Sequence, residues 1–266
     1  MHSYNPVFIY RIGGCYKPKN TVMIKKKLLM VALIIFGTPW VYSQQIHSAL
    51  QLRNSHLWRG LEVSSGLIYT GDVHLDGKKF YGGFWAGGNA NGSYKEFDHY
   101  IGYKNKHLTL ELWDIYNFSP RASYNNKEYF NYNASETGRF WDFRSNYTIS
   151  EKFPLILSWN TVVFGRDRNK DNTENKYSSF VSTEYPVYKK ENLEVRGRVG
   201  YAFALNNTRG EKGNFFAKEA GFNEISLIIT KTFTIAGYQL PVGIWGMFNP
   251  VGNNAYLQFS VQAYSF

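Results

Sequence analysis

The sequence predicts an all-β chain, a transmembrane antiparallel up-and-down β-barrel of about 12 strands, and three observations carry that expectation. The first is the aromatic load: 21 Tyr, 20 Phe and 7 Trp in 266 residues whose mean hydropathy is only −0.38. Rings at that density in so polar a chain must alternate with hydrophilic residues, and alternation at period two gives a strand one apolar and one wet face. The second is the sorting of the connections, because long polar stretches and tight turns occupy alternate gaps. The third is the lack of any long apolar run beyond Leu28 to Phe36, which falls short of the ~20 residues a spanning helix needs.

That run has its own meaning. Met23 is followed by Lys25, Lys26 and Lys27, the apolar stretch, Pro39, and Val41-Tyr42-Ser43 ahead of Gln44-Gln45. A basic start, a short apolar middle and small residues before a cut describe a secretory signal peptide over 23–43. Residues 1–22 read as an upstream extension or misassigned start, and 44–266 as the barrel. The one cysteine, Cys15, lies in the first segment, so the mature chain has no thiol chemistry. Residues 1–43 also hold six Lys/Arg and no acid, so processing takes the formal charge from +10 to +4. That balance gives no support to nucleic-acid binding.

Twelve alternating segments follow in order. The first two, 46–57 and 63–73, flank Arg59-Gly60, where glycine permits a positive φ and Arg59 turns toward the loop interior. Segment 79–87 sets Trp85 among Gly82, Gly83 and Gly87, a thin wall on which a bulky neighbour can pack. Segments 94–104 and 107–117 bring Glu96, Asp98 and Glu111 to one face of adjacent strands. In 139–149, Trp141, Phe143 and Tyr147 oppose Asp142, Arg144 and Asn146. Segments 154–164 and 176–188 lead to 193–204, where Leu193, Val195 and Val199 oppose Glu194, Arg196 and Arg198. In 222–234, Ile225, Leu227 and Ile229 oppose Glu224, Ser226 and Thr230. Segments 238–248 and 255–266 complete the set, the last ending on Tyr264 and Phe266. A terminal aromatic resembles the signal read by barrel-assembly machinery. Here the apolar set sits in the opposite register, which calls for a bulge near Ala263–Tyr264. Aromatics near segment ends (Trp58, Tyr81, Trp113, Tyr116, Tyr185, Tyr188 and Phe248) are expected to form interfacial girdles.

The connections 58–62, 88–93, 118–138, 165–175, 205–221 and 249–254 contain every long polar loop, whereas 74–78, 105–106, 150–153, 189–192 and 235–237 are turn-like. Long loops on one side and tight turns on the other is the outer-membrane arrangement, with both chain ends on the turn side.

This register places Arg53, Glu96, Asp98, Glu111, Asp142, Arg144, Glu184, Glu194, Arg196, Arg198 and Glu224 toward the lumen. Two outcomes stand open: a polar passage with acidic and basic walls, or a salt-bridged plug in which Arg196 and Arg198 pair with Glu184 and Glu224. Catalysis finds no support, since neither Gly-x-Ser-x-Gly nor His-Glu-x-x-His occurs, and Asp72-Val73-His74 falls at a turn. His47, His56, His74, His99 and His107 show no ligand spacing, so neither metal nor cofactor is expected. Loop 118–138, rich in Tyr and Asn, reads as a solvated cover of the mouth, with sugar or partner binding as the alternative.

Several motifs resemble the TorF-type family of putative outer-membrane porins. They are Ser55-His56-Leu57-Trp58-Arg59-Gly60-Leu61, Tyr81-Gly82-Gly83-Phe84-Trp85-Ala86-Gly87, Glu96-Phe97-Asp98-His99-Tyr100 and Glu111-Leu112-Trp113-Asp114-Ile115-Tyr116. They cover the first third of the mature chain. The resemblance implies an outer-membrane location and solute passage, and supplies no catalytic residue. The expected function is therefore a porin-like passive channel for small solutes, with outer-membrane lipid and the assembly machinery as partners. The alternatives are a non-conducting barrel acting through its loops, and a membrane-embedded hydrolase.

Overall fold

The computed structural model describes residues 45–207 and 210–265. The expected signal peptide, the segment before it, and Phe266 of the expected insertion signal lie outside the described residues. Twelve strands run in order: β1 (Gln45–Trp58), β2 (Leu61–Asp76), β3 (Phe80–Asn89), β4 (Lys95–Lys104), β5 (Leu108–Asn117), β6 (Phe140–Thr148), β7 (Ile156–Gly165), β8 (Ser178–Lys190), β9 (Leu193–Ala204), β10 (Gly221–Ile235), β11 (Tyr238–Asn249) and β12 (Asn254–Ser265). Each pairs antiparallel with its neighbours in sequence, and β1 pairs with β12, so the sheet closes into a barrel. Closure leaves no open edge of unpaired N–H and C=O groups.

The seam contains the bulge that the C-terminal register requires. Leu50 faces Tyr264 and Gln51 faces Gln262, so Ala263 is the extra residue. It swings the preceding apolar set, Leu257 and Phe259, to the outside.

Turn chemistry follows the short connections. In the β1–β2 hairpin Arg59 has φ 46° and Gly60 φ 82°, both positive as a two-residue type I′ loop demands. The β10–β11 turn repeats the pattern with Ala236 at 50° and Gly237 at 82°. Gly60 also has a neighbour to respect, because a Cβ there would lie 2.2 Å from the Asn223 carbonyl oxygen. The glycines around Trp85 are covered as the sequence suggests: Trp85 lies over Gly87, and Tyr69 over Gly88. Tyr81 covers Gly102 and Phe180 covers Gly200 in the same way, so rings replace the missing side chains.

The outer surface is apolar. Leu52, Val73, Phe84, Val199, Leu227 and Leu257 are all exposed, and Ile101 is 67% exposed. Exposed rings occur toward both ends of this band, with Phe80, Tyr188, Phe233 and Tyr238 at the turn end and Phe222 and Phe248 at the loop end. The expected girdle needs correction at three positions. Trp58 packs on Phe216, Trp113 stacks on Tyr100 at 4.2 Å, and Tyr81 bonds Glu111, so all three project inward.

Loop 118–139 straddles the rim rather than simply capping the mouth. Tyr124 lies under the Arg166 guanidinium at 3.9 Å and faces the cavity. Further along, Tyr129 packs on the outward ring of Phe97 and on Tyr116. Arg139, with no exposed side-chain surface, is held among the rings of Tyr116, Tyr129 and Tyr132. It also donates to Asp114 at 2.8 Å and to the Tyr129 carbonyl. Desolvating a guanidinium is compensated here by one carboxylate, one carbonyl and three π faces.

Candidate functional site

The lumen is the candidate site, and three groups of side chains fill it from the loop end to the turn end. At the loop end, residues 214–217 fold inward instead of outward. Phe216 is 1% exposed and packs with Ile115, Phe140, Val162, Phe180 and Ala202, while Phe215 and Trp58 lie against the cluster. Local bonds fix this segment: Phe216 and Ala217 donate their N–H groups to Asn214 Oδ1, and Phe215 N–H donates to Ser178 Oγ. Glu211 ties it to the next loop, accepting from the Lys170 N–H at 2.8 Å and pairing with Lys176 at 3.1 Å. Sequence reasoning took this stretch for an ordinary polar loop. The adjacent Phe215-Phe216 in an otherwise hydrophilic run was the signal available.

The ion pairs form two networks. Arg59 reaches down from the hairpin turn and donates from Nη1 and Nη2 to the two oxygens of Asp142 at 2.8 and 2.7 Å. Arg144 donates to the same carboxylate at 2.6 Å and lies 4.0 Å over Trp113. Asp142 is fully buried, and Arg59 is 8% exposed. On β8 to β10, Glu184 takes Arg196 at 2.8 Å and Arg198 at 2.5 Å, and Arg198 continues to Glu224 at 3.4 Å. The short spacing of Arg196 and Arg198 on β9 between Glu184 of β8 and Glu224 of β10 makes this chain of charges possible. Both networks fix their arginines, so these cations stiffen the wall.

Between the aromatic cluster and the β1–β5 wall lies a cavity of about 690 Å³. Loop residues Asn91, Ser93, Ser119 and Arg121 form its rim, and its lining reaches down to Arg53, Trp85 and Arg144. Glu96 and Asp98 stand on one side of it, Glu96 accepting from Asn117 Nδ2 and Asp98 from the Tyr116 N–H. Arg53 of β1 also lines it, bonded to Gln51 at 2.5 Å and His56 at 3.2 Å. Neither acid has a cationic side chain within ion-pair distance among the described residues. At the rim, burial pulls the Arg166 guanidinium below its ordinary value, opposed by Tyr124, Glu96 and Asp167.

The acidic patch expected from Glu96, Asp98 and Glu111 is therefore narrower than the sequence suggests. Glu111 pairs across β4 with Gly102, several residues nearer the turns, and accepts a hydrogen bond from Tyr81 at 2.7 Å. Glu194 is also set apart, at the turn end of β9 opposite Lys189 and Thr230.

The turn end holds a cluster that linear spacing hides. His47 of β1 lies directly opposite His74 of β2, their rings stacked with centroids 5.1 Å apart. Asp72 and Asp76 flank His74, and Lys104 pairs with Asp76 at 2.5 Å. Counting back from the Arg59-Gly60 turn, a regular hairpin would set His47 against Asp72. Two register shifts along β1 and β2 displace the pairing by two residues, which preserves the face and brings the imidazoles together.

No protein-family model and no curated protein sequence matches this chain. Among solved structures, it is similar to a chain from a study of in-meso crystallisation of membrane proteins (11% identity, TM-score 0.46, 84% of this chain and 83% of that one). It is also similar to an outer membrane channel from Pseudomonas putida F1 (14% identity, TM-score 0.42, 83% of this chain and 94% of that one).

Proposed function

We propose that this chain is a bacterial outer-membrane barrel with a porin-like passage for small solutes, in which the loop-side cavity is the vestibule and the Phe215–Phe216 segment sets the resistance. One observation carries the reading: a closed sheet whose outer face is apolar and whose inner face is charged. In water, so much exposed apolar surface invites aggregation. In lipid it is buried, and closure satisfies every strand edge, as a spanning sheet requires. The TorF-type motifs agree with this reading, and the signal peptide expected over 23–43 would deliver the chain to the periplasm.

The cavity suits solutes of modest size with polar edges and a flat apolar face. Trp85, Trp113 and Tyr124 offer rings, while Glu96, Asp98 and Arg53 offer both signs of charge. The test is single-channel conductance of the refolded barrel in planar bilayers. Wild type is expected to conduct weakly, and replacing both Phe215 and Phe216 by Ala to raise conductance several-fold while the barrel stays folded. Silence from both proteins would sink the channel and favour the second reading, a non-conducting barrel. That reading has its own support in the two ion-pair networks and the buried Phe216, which occupy much of the lumen.

A further inference from the structure

We infer that the turn-side mouth of the lumen contains a binding site for a divalent transition cation of the zinc class, held by His47, His74 and Asp76. The ligand atoms of these residues all lie within 4.8 Å of one another. Tetrahedral ligands at roughly 2.0–2.1 Å from zinc stand about 3.4 Å apart. Rotations of two imidazoles and one carboxylate, each moving an atom by about 1 Å, would close the difference. Two nitrogens and one oxygen form a donor set that imidazole-preferring divalent ions accept, with a fourth position left for water.

Three further features separate this cluster from a chance meeting of polar residues. The His74 ring is already oriented from behind: its Nδ1 lies 2.6 Å from Asp72 Oδ1. A carboxylate in that place fixes the tautomer with the proton on Nδ1 and presents Nε2 to an ion, the usual outer support of a metal-bound histidine. Asp72 is itself steadied, because Tyr100 donates its hydroxyl to Oδ2 at 2.8 Å. The Asp76 carboxylate is half committed. Its Oδ2 takes Lys104, while Oδ1 is buried with no hydrogen-bond partner, a cost that a bound ion would remove. The charge also points to a cation, since Asp72 and Asp76 together outweigh Lys104 by one unit.

The site needs only the folded barrel and is independent of whether the lumen conducts. The experiment is therefore titration of untagged, detergent-folded protein with zinc chloride by calorimetry, with cobalt absorption to report the geometry. One ion per chain is expected, with the intense visible bands of a four-coordinate cobalt centre. Replacing both His47 and His74 by Gln should abolish binding. Asp72→Asn should weaken it about 10- to 100-fold through loss of ring orientation. His99→Gln, on the outer wall, should leave it unchanged. Heat-modifiable gel migration shows that each variant retains its barrel. Wild type binding no more zinc than the folded double-histidine variant would overturn the inference, and so would zinc affinity indifferent to Asp72→Asn and to His74→Gln.

Discussion

Replacing Asp142 by Asn should destabilise the barrel by about 3–5 kcal/mol, the cost of stranding one member of a buried ion pair. Asp142 is fully buried and accepts three charge-assisted bonds, two from Arg59 and one from Arg144. An amide keeps one acceptor oxygen and turns an N–H group toward a guanidinium. At least one of the bonds from Arg59 is lost, each worth roughly 1.5–3 kcal/mol, and Arg59 remains in the lumen with little solvent to compensate. Arg144, more exposed and stacked on Trp113, softens the effect only in part. Urea unfolding of the detergent-folded barrel, followed by tryptophan fluorescence, is the assay, and Trp58 beside Arg59 is a local reporter. With m near 1–3 kcal/mol/M, the midpoint should fall by at least about 1 M. The control is Glu151→Gln, which breaks the Lys106–Glu151 pair at 3.2 Å, both side chains mostly exposed. Such a pair contributes about 0–1 kcal/mol. If the two variants shift the midpoint by equal small amounts, burial is not what gives the Asp142 network its strength, and the reasoning fails.

Leu227→Arg, on the exposed face at the middle of β10, should destabilise the protein in lipid vesicles by about 2–4 kcal/mol. A neutral or stabilising result would argue against a lipid-facing wall. The Lys170 N–H, with Lys176, holds the Glu211 carboxyl below the ordinary glutamate range. A depressed acid stabilises above the unfolded value, about 4.3, and loses that contribution as pH falls through its folded value. Hydrogen-exchange protection of residues 210–217 should therefore drop on acidification below that range, and Glu211→Gln should show the loss already at pH 7; unchanged protection in both would refute the tether. Gly60→Ala should lower stability by more than about 1–2 kcal/mol, combining left-handed backbone strain with the Asn223 clash. Ala236→Gly, at φ 50° in the β10–β11 turn, should instead be neutral or raise the unfolding midpoint slightly.

Much of the fold could be read from the residues because a barrel writes its geometry into short-range pattern. Alternation gave the faces of β6, β9 and β10, and the gap lengths separated loops from turns. Even the Ala263 bulge followed from an apolar set in the wrong register beside Tyr264. What escaped depends on partners distant in sequence or on local shifts. The Arg59–Asp142 bond joins the β1–β2 turn to β6, which is adjacent to neither strand of that hairpin, and no periodicity encodes it. His47 meets His74 only because two bulges displace the first hairpin. Phe216 enters the lumen through asparagine and serine bonds that a composition of polar residues disguises. Trp113 is a different case, since the same parity that turned Glu111 inward also turned Trp113 inward, and a preference for interfacial rings obscured it.

The seam between β1 and β12 carries a kinetic consequence. Every other pairing joins consecutive strands and can zip locally, whereas the bond from the Leu57 N–H to Gln258 links residues 201 positions apart. Closing a loop of that length costs about 5 kcal/mol in chain entropy, so the seam is the last part to form in assembly. Until then two raw strand edges, one at each terminus, stand open together. An escort that sheltered both would speed maturation more than one that guided any internal hairpin.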